Sequence, residues 1–168
     1  MKVSLIGILT LGALLAQKPV VKKSTATYDK AKAQHCWTLK KTASTQESTS
    51  CFVALMAEKS PALSAEGLWG VGKLEDAKRD FEKALEVYPD DPQVRIRFGL
   101  MFWSHFNKAD AVKLIGEALE LDKTNPQGMM ALARILSRGF DSKATDLAQK
   151  AAEADPSLFE AQIGRAHV

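Results

Sequence analysis

Slide this chain against itself by about 34 residues and one set of small and bulky positions falls back on itself. Ala77, Phe81, Ala84 and Pro89 recur as Ala111, Ile115, Ala118 and Lys123, and again as Ala144, Ala148, Ala151 and Pro156. A fixed period of this size describes stacked supersecondary units, each too small to bury its apolar face without a neighbour. That excludes most ordinary single-core folds.

Signals inside each period are those of helix pairs. Ser60 before Pro61 places a capping hydroxyl beside a proline at a turn where no backbone donor is lost, which predicts a first helix from Ala62 to about Val71. Gly72 permits a tight turn, and Leu74 to Val87 predicts a second helix with Ala77, Phe81 and Ala84 on one face. Tyr88-Pro89-Asp90-Asp91-Pro92 then stops one unit and opens the next. Ala65, Gly99 and Ala133, each 34 apart, provide small positions where helices approach, and Leu68, Phe102 and Leu136 fill gaps at the same interval.

This alternation resembles the tetratricopeptide repeat over residues 58 to 158. The resemblance implies an all-α, right-handed helix-turn-helix repeat solenoid with about three repeats, at 58–91, 92–125 and 126–158, and the start of a fourth at 159. Pro156 to Ala161 reads as that opening. The departures are specific: Ser64 stands for the usual leucine, Pro61 and Arg95 occupy the large aromatic slot, Phe106 replaces the turn glycine, and the third unit is one residue short around Gly139 to Asp141.

In proteins with this repeat the first helices line a concave groove. Carried onto matching positions, the resemblance implies a groove set of Glu66 and Trp69; Gln93, Ile96, Arg97, Leu100 and Trp103; and Gln127, Met130, Arg134, Ser137 and Arg138. Aromatic anchors with arginines suit an extended peptide. The lysine and asparagine of a carboxylate clamp are absent, since Ala62 and Glu66 occupy those places, so chaperone-tail recognition is disfavoured.

Residues 17–57 fall outside the repeat. Tyr28 to Lys41 reads as a helix, Thr42 to Ser50 as a polar loop and Cys51 to Glu58 as a second apolar stretch, giving two short helices over the solenoid entrance. Ahead of them, Lys2 and the apolar run Val3 to Ala16 read as a signal peptide over 1–16, shorter than a bilayer span. Export to a periplasmic or extracellular space would let Cys36 and Cys51 pair as a disulfide. Both also sit beside aromatics, Trp37 and Phe52, as buried free thiols do.

The net charge of +3 divides unevenly. Residues 17–60 hold eight lysines and three acids, whereas 61–162 hold thirteen basic and seventeen acidic groups. A solvated lysine-rich segment accounts for this without nucleic acid. There is no phosphate loop, nucleophile motif or metal-ligand spacing, so no catalytic, cofactor or metal role is assigned. His105 reads as a partly buried helix residue rather than a base.

Two function classes follow. The first is a non-catalytic, exported scaffold binding a peptide or partner protein, with membrane contact only through the signal segment and self-association through an uncovered last repeat. The second is the repeat arm of a larger exported enzyme, such as a zinc peptidase, whose catalytic domain lies downstream.

The tail has a separate reading. ATC GGA AGA GCA CAC GTC, a stretch of a common sequencing adapter, translates to Ile163 to Val168; the next adapter triplet is a stop, and the preceding bases suit Gln162. We expect 162–168 to be adapter translation, and therefore expect an adapter-trimmed assembly of the locus to diverge after Ala161. The same codons followed by genomic sequence would refute this.

Overall fold

The computed structural model describes residues 28–158; the expected signal segment and adapter-derived tail lie outside them. Among the described residues the elements are α1 (Lys30–Thr42), α2 (Thr45–Met56), α3 (Pro61–Gly70), α4 (Leu74–Val87), α5 (Pro92–Ser104), α6 (Lys108–Leu121), α7 (Pro126–Ser137) and α8 (Lys143–Ala154). They stack as four consecutive helix pairs in an all-α solenoid. Pro156 to Leu158 are again helical, where a further unit would begin.

Capping chemistry fixes where the inner helices start. Ser60, Asp91 and Asn125 each precede a proline, and each side chain accepts a backbone N–H of the first turn, from Leu63, Gln93 and Gly128 respectively. Proline suits the first helical position because it lacks the donor that would otherwise stay orphaned there.

The loop expected over Thr42 to Ser50 is instead mostly helix. Ser44 accepts from the Glu47 amide at 3.2 Å, and the Glu47 carboxylate accepts from the Ser44 amide at 3.1 Å. This reciprocal capping box starts a helix despite the polar composition that follows. The segment before the repeats is therefore a helix pair continuing the stack. Cys36 and Cys51 bridge it as a disulfide, with Cα atoms 5.5 Å apart and a sequence separation of 15. A loop of that size contributes about 3 kcal/mol in the chain-entropy account.

Packing follows the small residues. Ala77, Ala84, Ala111, Ala118 and Ala151 are fully buried, and Phe81, Phe98 and Phe102 stack in series with ring centroids 5.0 and 4.8 Å apart. One continuous core joins Tyr28, Phe52, Phe81 and Phe98 as far as Leu114; a smaller one surrounds Ile115 and Ile135, and the last holds only Met129, Met130 and Ala151. The core thins toward α8.

At the turns inside the repeats, the left-handed backbone position falls on Gly72 (φ 83°), Phe106 (φ 63°) and Phe140 (φ 55°), 34 residues apart. A residue carrying a Cβ loses about 1 kcal/mol in that region, which glycine avoids. Both phenylalanine rings are exposed.

Glycines elsewhere separate close approach from mere tolerance. A Cβ on Gly67 would stand 2.5 Å from the Phe52 carbonyl oxygen and 2.7 Å from the Met56 nitrogen, so α2 and α3 meet backbone to backbone there; at Gly116 of α6 nothing lies within 4 Å. Gly67→Ala is expected to destabilise by about 1–3 kcal/mol, and Gly116→Ala to stabilise by about 0.5–1 kcal/mol. Urea unfolding midpoints of the two variants measure both.

Candidate functional site

The inner layer of the solenoid is made by α1, α3, α5 and α7, and it encloses a cleft of ≈ 510 Å³. From α5 the cleft takes Gln93, Ile96, Arg97 and Leu100, and from α7 Gln127, Met130, Ala131 and Arg134. Each set is spaced i, i+3, i+4, i+7, one face of a helix, and the two sets coincide at the 34-residue period. Successive units thus match in a carboxamide near the helix start (Gln93, Gln127) and an apolar residue nearly one turn on (Ile96, Met130), then differ, with Arg97 and Leu100 in one against Ala131 and Arg134 in the other.

The first repeat does not offer the same face. Its equivalent positions, Ala62, Leu63 and Glu66, are buried, with Glu66 fully enclosed. The covering comes from the helix pair ahead of the repeats. The Tyr28 hydroxyl donates to Glu66 Oε1 at 3.0 Å and the Trp37 indole N–H to Glu66 Oε2 at 2.6 Å. Arg97 of α5 completes the set through Nε to Oε1 and Nη2 to Oε2, the latter at 2.6 Å. Its guanidinium also lies over the rings of Trp37 and Trp69, at 5.4 and 4.8 Å from their centroids. The Tyr28 amide donates to Asp91, the cap of α5, at 3.0 Å.

Glu66 is therefore a structural carboxylate joining three helices, and its assignment to an open groove is corrected. A fully buried carboxylate is tolerable only with its lone pairs matched, and here four donors meet it. Burial pushes the Tyr28 phenol above its ordinary value, the Glu66 charge adds to this, and Arg97 partly offsets it. Burial works against the Arg97 charge, but Glu66 outweighs it and holds the guanidinium above the usual arginine range.

The remaining sequence candidates divide. Trp69 is half-buried against Trp37, ring centroids 4.4 Å apart, with one edge on the cleft. Gln93, Arg97, Leu100, Gln127 and Arg134 line the cleft; Ile96 and Met130 do so as nearly buried floor. Trp103 lies outside it beneath the Arg138 guanidinium, 5.2 Å from the ring. Ser137 borders a separate hollow of ≈ 330 Å³ between α7 and α8. His105 is exposed at the end of α5, not partly buried.

Missed by the sequence reading are Tyr28, just ahead of α1, and Lys30, Gln34, Trp37 and Lys41 of α1, which form one wall of the cleft, together with Ala131 of α7; Leu158 lies on its lining too. Lys30, Lys41, Arg97 and Arg134 are the charged side chains on the lining; no acidic side chain reaches it. Among the described residues no cluster of three or more His, Cys, Asp or Glu side chains is arranged to hold a metal ion.

No family model matches this chain, and neither does any curated protein. Solved structures match in fold. One crystal structure of MamA is 9% identical, with a TM-score of 0.53 over 78% of this chain and 80% of that one. Another, MamA MSR-1 C2, is 20% identical, with a TM-score of 0.52 over 82% of each chain. At such identities the likeness is one of helical-repeat architecture.

Removing one member of the Glu66 knot leaves its partners buried and unmatched. Glu66→Ala is expected to cost about 3–5 kcal/mol, read from chemical unfolding. The raised Tyr28 value makes the folded state hold that proton more tightly than the unfolded chain, so its stabilisation is complete below the ordinary tyrosine value of 10.0 and is lost as pH climbs beyond it. Tyr28→Phe should be less stable at neutral pH by about 1–2 kcal/mol and should show a flatter stability profile above pH 10. An unchanged alkaline profile would disprove the linkage.

Proposed function

We propose that this chain is a non-catalytic interaction module that holds an extended segment of a partner polypeptide in the cleft between α1, α5 and α7. The observation that carries the reading is the pair of helix faces, Gln93/Ile96/Arg97/Leu100 and Gln127/Met130/Ala131/Arg134, side by side in one cleft. Carboxamides at repeat spacing suit the backbone groups of an extended peptide, and Ile96, Leu100 and Met130 offer an apolar floor for its side chains. Arg97 is matched by Glu66, and the other basic side chains on the lining, Lys30, Lys41 and Arg134, give it a positive balance that favours segments carrying acidic residues beside apolar ones.

The compartment is part of the same proposal. A bridge between Cys36 and Cys51 belongs in an oxidising space, which supports export to the periplasm or beyond. The division into signal segment, N-terminal helix pair and repeats fits that location.

Selection from a displayed random-peptide library tests the proposal. Enriched peptides should combine acidic and apolar residues, and Leu100→Ser or Arg134→Glu should weaken their binding about tenfold or more, measured by fluorescence anisotropy, with the melting profile retained. Peptides that bind both variants as tightly as the parent chain would place the site elsewhere. Failure to enrich any peptide would refute the proposal.

A further inference from the structure

The edge where each first helix turns into its second carries two side chains that folding does not explain. Phe106 and Phe140 occupy left-handed backbone positions that Gly72 fills without strain in the first repeat. Their rings are 90% and 97% exposed, so they add nothing to the core in return. A contact outside the chain gives phenylalanine a role at both turns.

The two turns are neighbours. Lys108, two residues beyond Phe106, comes so near the next turn that a Cβ on Gly139 would stand 3.2 Å from its Nζ. Arg138 reaches back over Trp103 at the end of α5. The three repeat turns, taken from two residues before to three residues after the left-handed position (70–75, 104–109 and 138–143), hold Lys73, Lys108, Arg138 and Lys143 against two carboxylates, Glu75 and Asp141, the latter accepting from the Lys143 amide through Oδ1. Lys40 joins the edge by donating to the Gly70 carbonyl at 3.0 Å. Other acids stand in the first turns of the second helices, as Lys108 and Lys143 do. Asp76 pairs with Arg79, Asp110 accepts from the Asn107 side chain, and Asp146 pairs with Lys150.

We propose that this edge docks on an anionic lipid surface, with the Phe106 and Phe140 rings entering the headgroup boundary and the flanking cations meeting lipid phosphates. Two protruding rings separated by charged and polar side chains suit a fluid interface, which needs no preformed pocket for each ring. A protein partner would call for contiguous apolar area, and Asn107, Lys108 and Arg138 interrupt it here. Cations near an anionic bilayer and aromatic rings at its boundary act together, and neither alone gives stable attachment. This docking is independent of the cleft and of the leader segment.

The test compares the full chain with Phe106→Gly/Phe140→Gly and Lys108→Glu/Lys143→Glu in co-sedimentation with vesicles of phosphatidylcholine alone or mixed equally with phosphatidylglycerol. Glycine relieves the turn strain, so the first variant keeps its fold, verified by thermal melting. The parent chain should bind the anionic vesicles in a salt-sensitive manner, and either variant should bind about tenfold or more weakly. Any contribution from the leader is shared by all three proteins. A second readout is specific to the site: in protein labelled with fluorophenylalanine, a spin-labelled lipid in anionic bicelles should broaden the two signals that vanish in the single glycine variants. Sharp signals at both positions would overturn the proposal, as would the absence of phosphatidylglycerol-dependent binding. Self-association abolished by the Phe106→Gly/Phe140→Gly change, without vesicle binding, would overturn it in favour of a second copy of the chain.

Discussion

A single buried carboxylate determines how this solenoid begins. Glu66 has no contact with water, and its two oxygens are matched by Tyr28 and Trp37 from one side and by the Arg97 guanidinium from the other. Because the desolvation penalty of an unmatched carboxylate is severe, the three helices bearing these groups cannot shift independently. Other features follow from that constraint. Tyr28 is held where its amide can reach the cap of α5, the indoles of Trp37 and Trp69 close on the guanidinium, and the cleft starts one unit later than the repeat count alone would place it.

The stacking itself was legible because it depends on residue size at fixed positions. Alanine at 77, 84, 111 and 118 and glycine at 99 permit close helix approach, and their period is visible without coordinates. A Cβ at position 99 would come within 2.8 Å of the Ile115 side chain, so the small residue there is a steric requirement. Proline after a capping side chain marks the inner helices for a similarly local reason.

What escaped the sequence reading depends on contacts between distant segments. Position 66 matches a groove position by register, and only the arrival of Tyr28 and Trp37, 38 and 29 residues earlier, converts it into a buried junction. Polar composition hid the first half of α2, although its start was written locally in Ser44 and Glu47. The groove candidates that line the cleft are Trp69 of α3 and residues of α5 and α7, where the first helix pair forms a wall beside the repeating face and does not bury it completely. Trp103 lies outside the cleft, under Arg138, a partner one whole unit further on.

The disulfide and the largest core lie at the same end of the solenoid. Helices that stack in a line separate most easily where their shared interfaces are smallest, and cohesion propagates only between neighbours. Here the first pair is covalently fastened and feeds the largest core. Within the described residues the covalent fastening and the largest core share one end of the stack, and the cleft between α5 and α7 lies beyond them. An occupant laid across both helices would act as a splint between two successive units, coupling both to the fastened end.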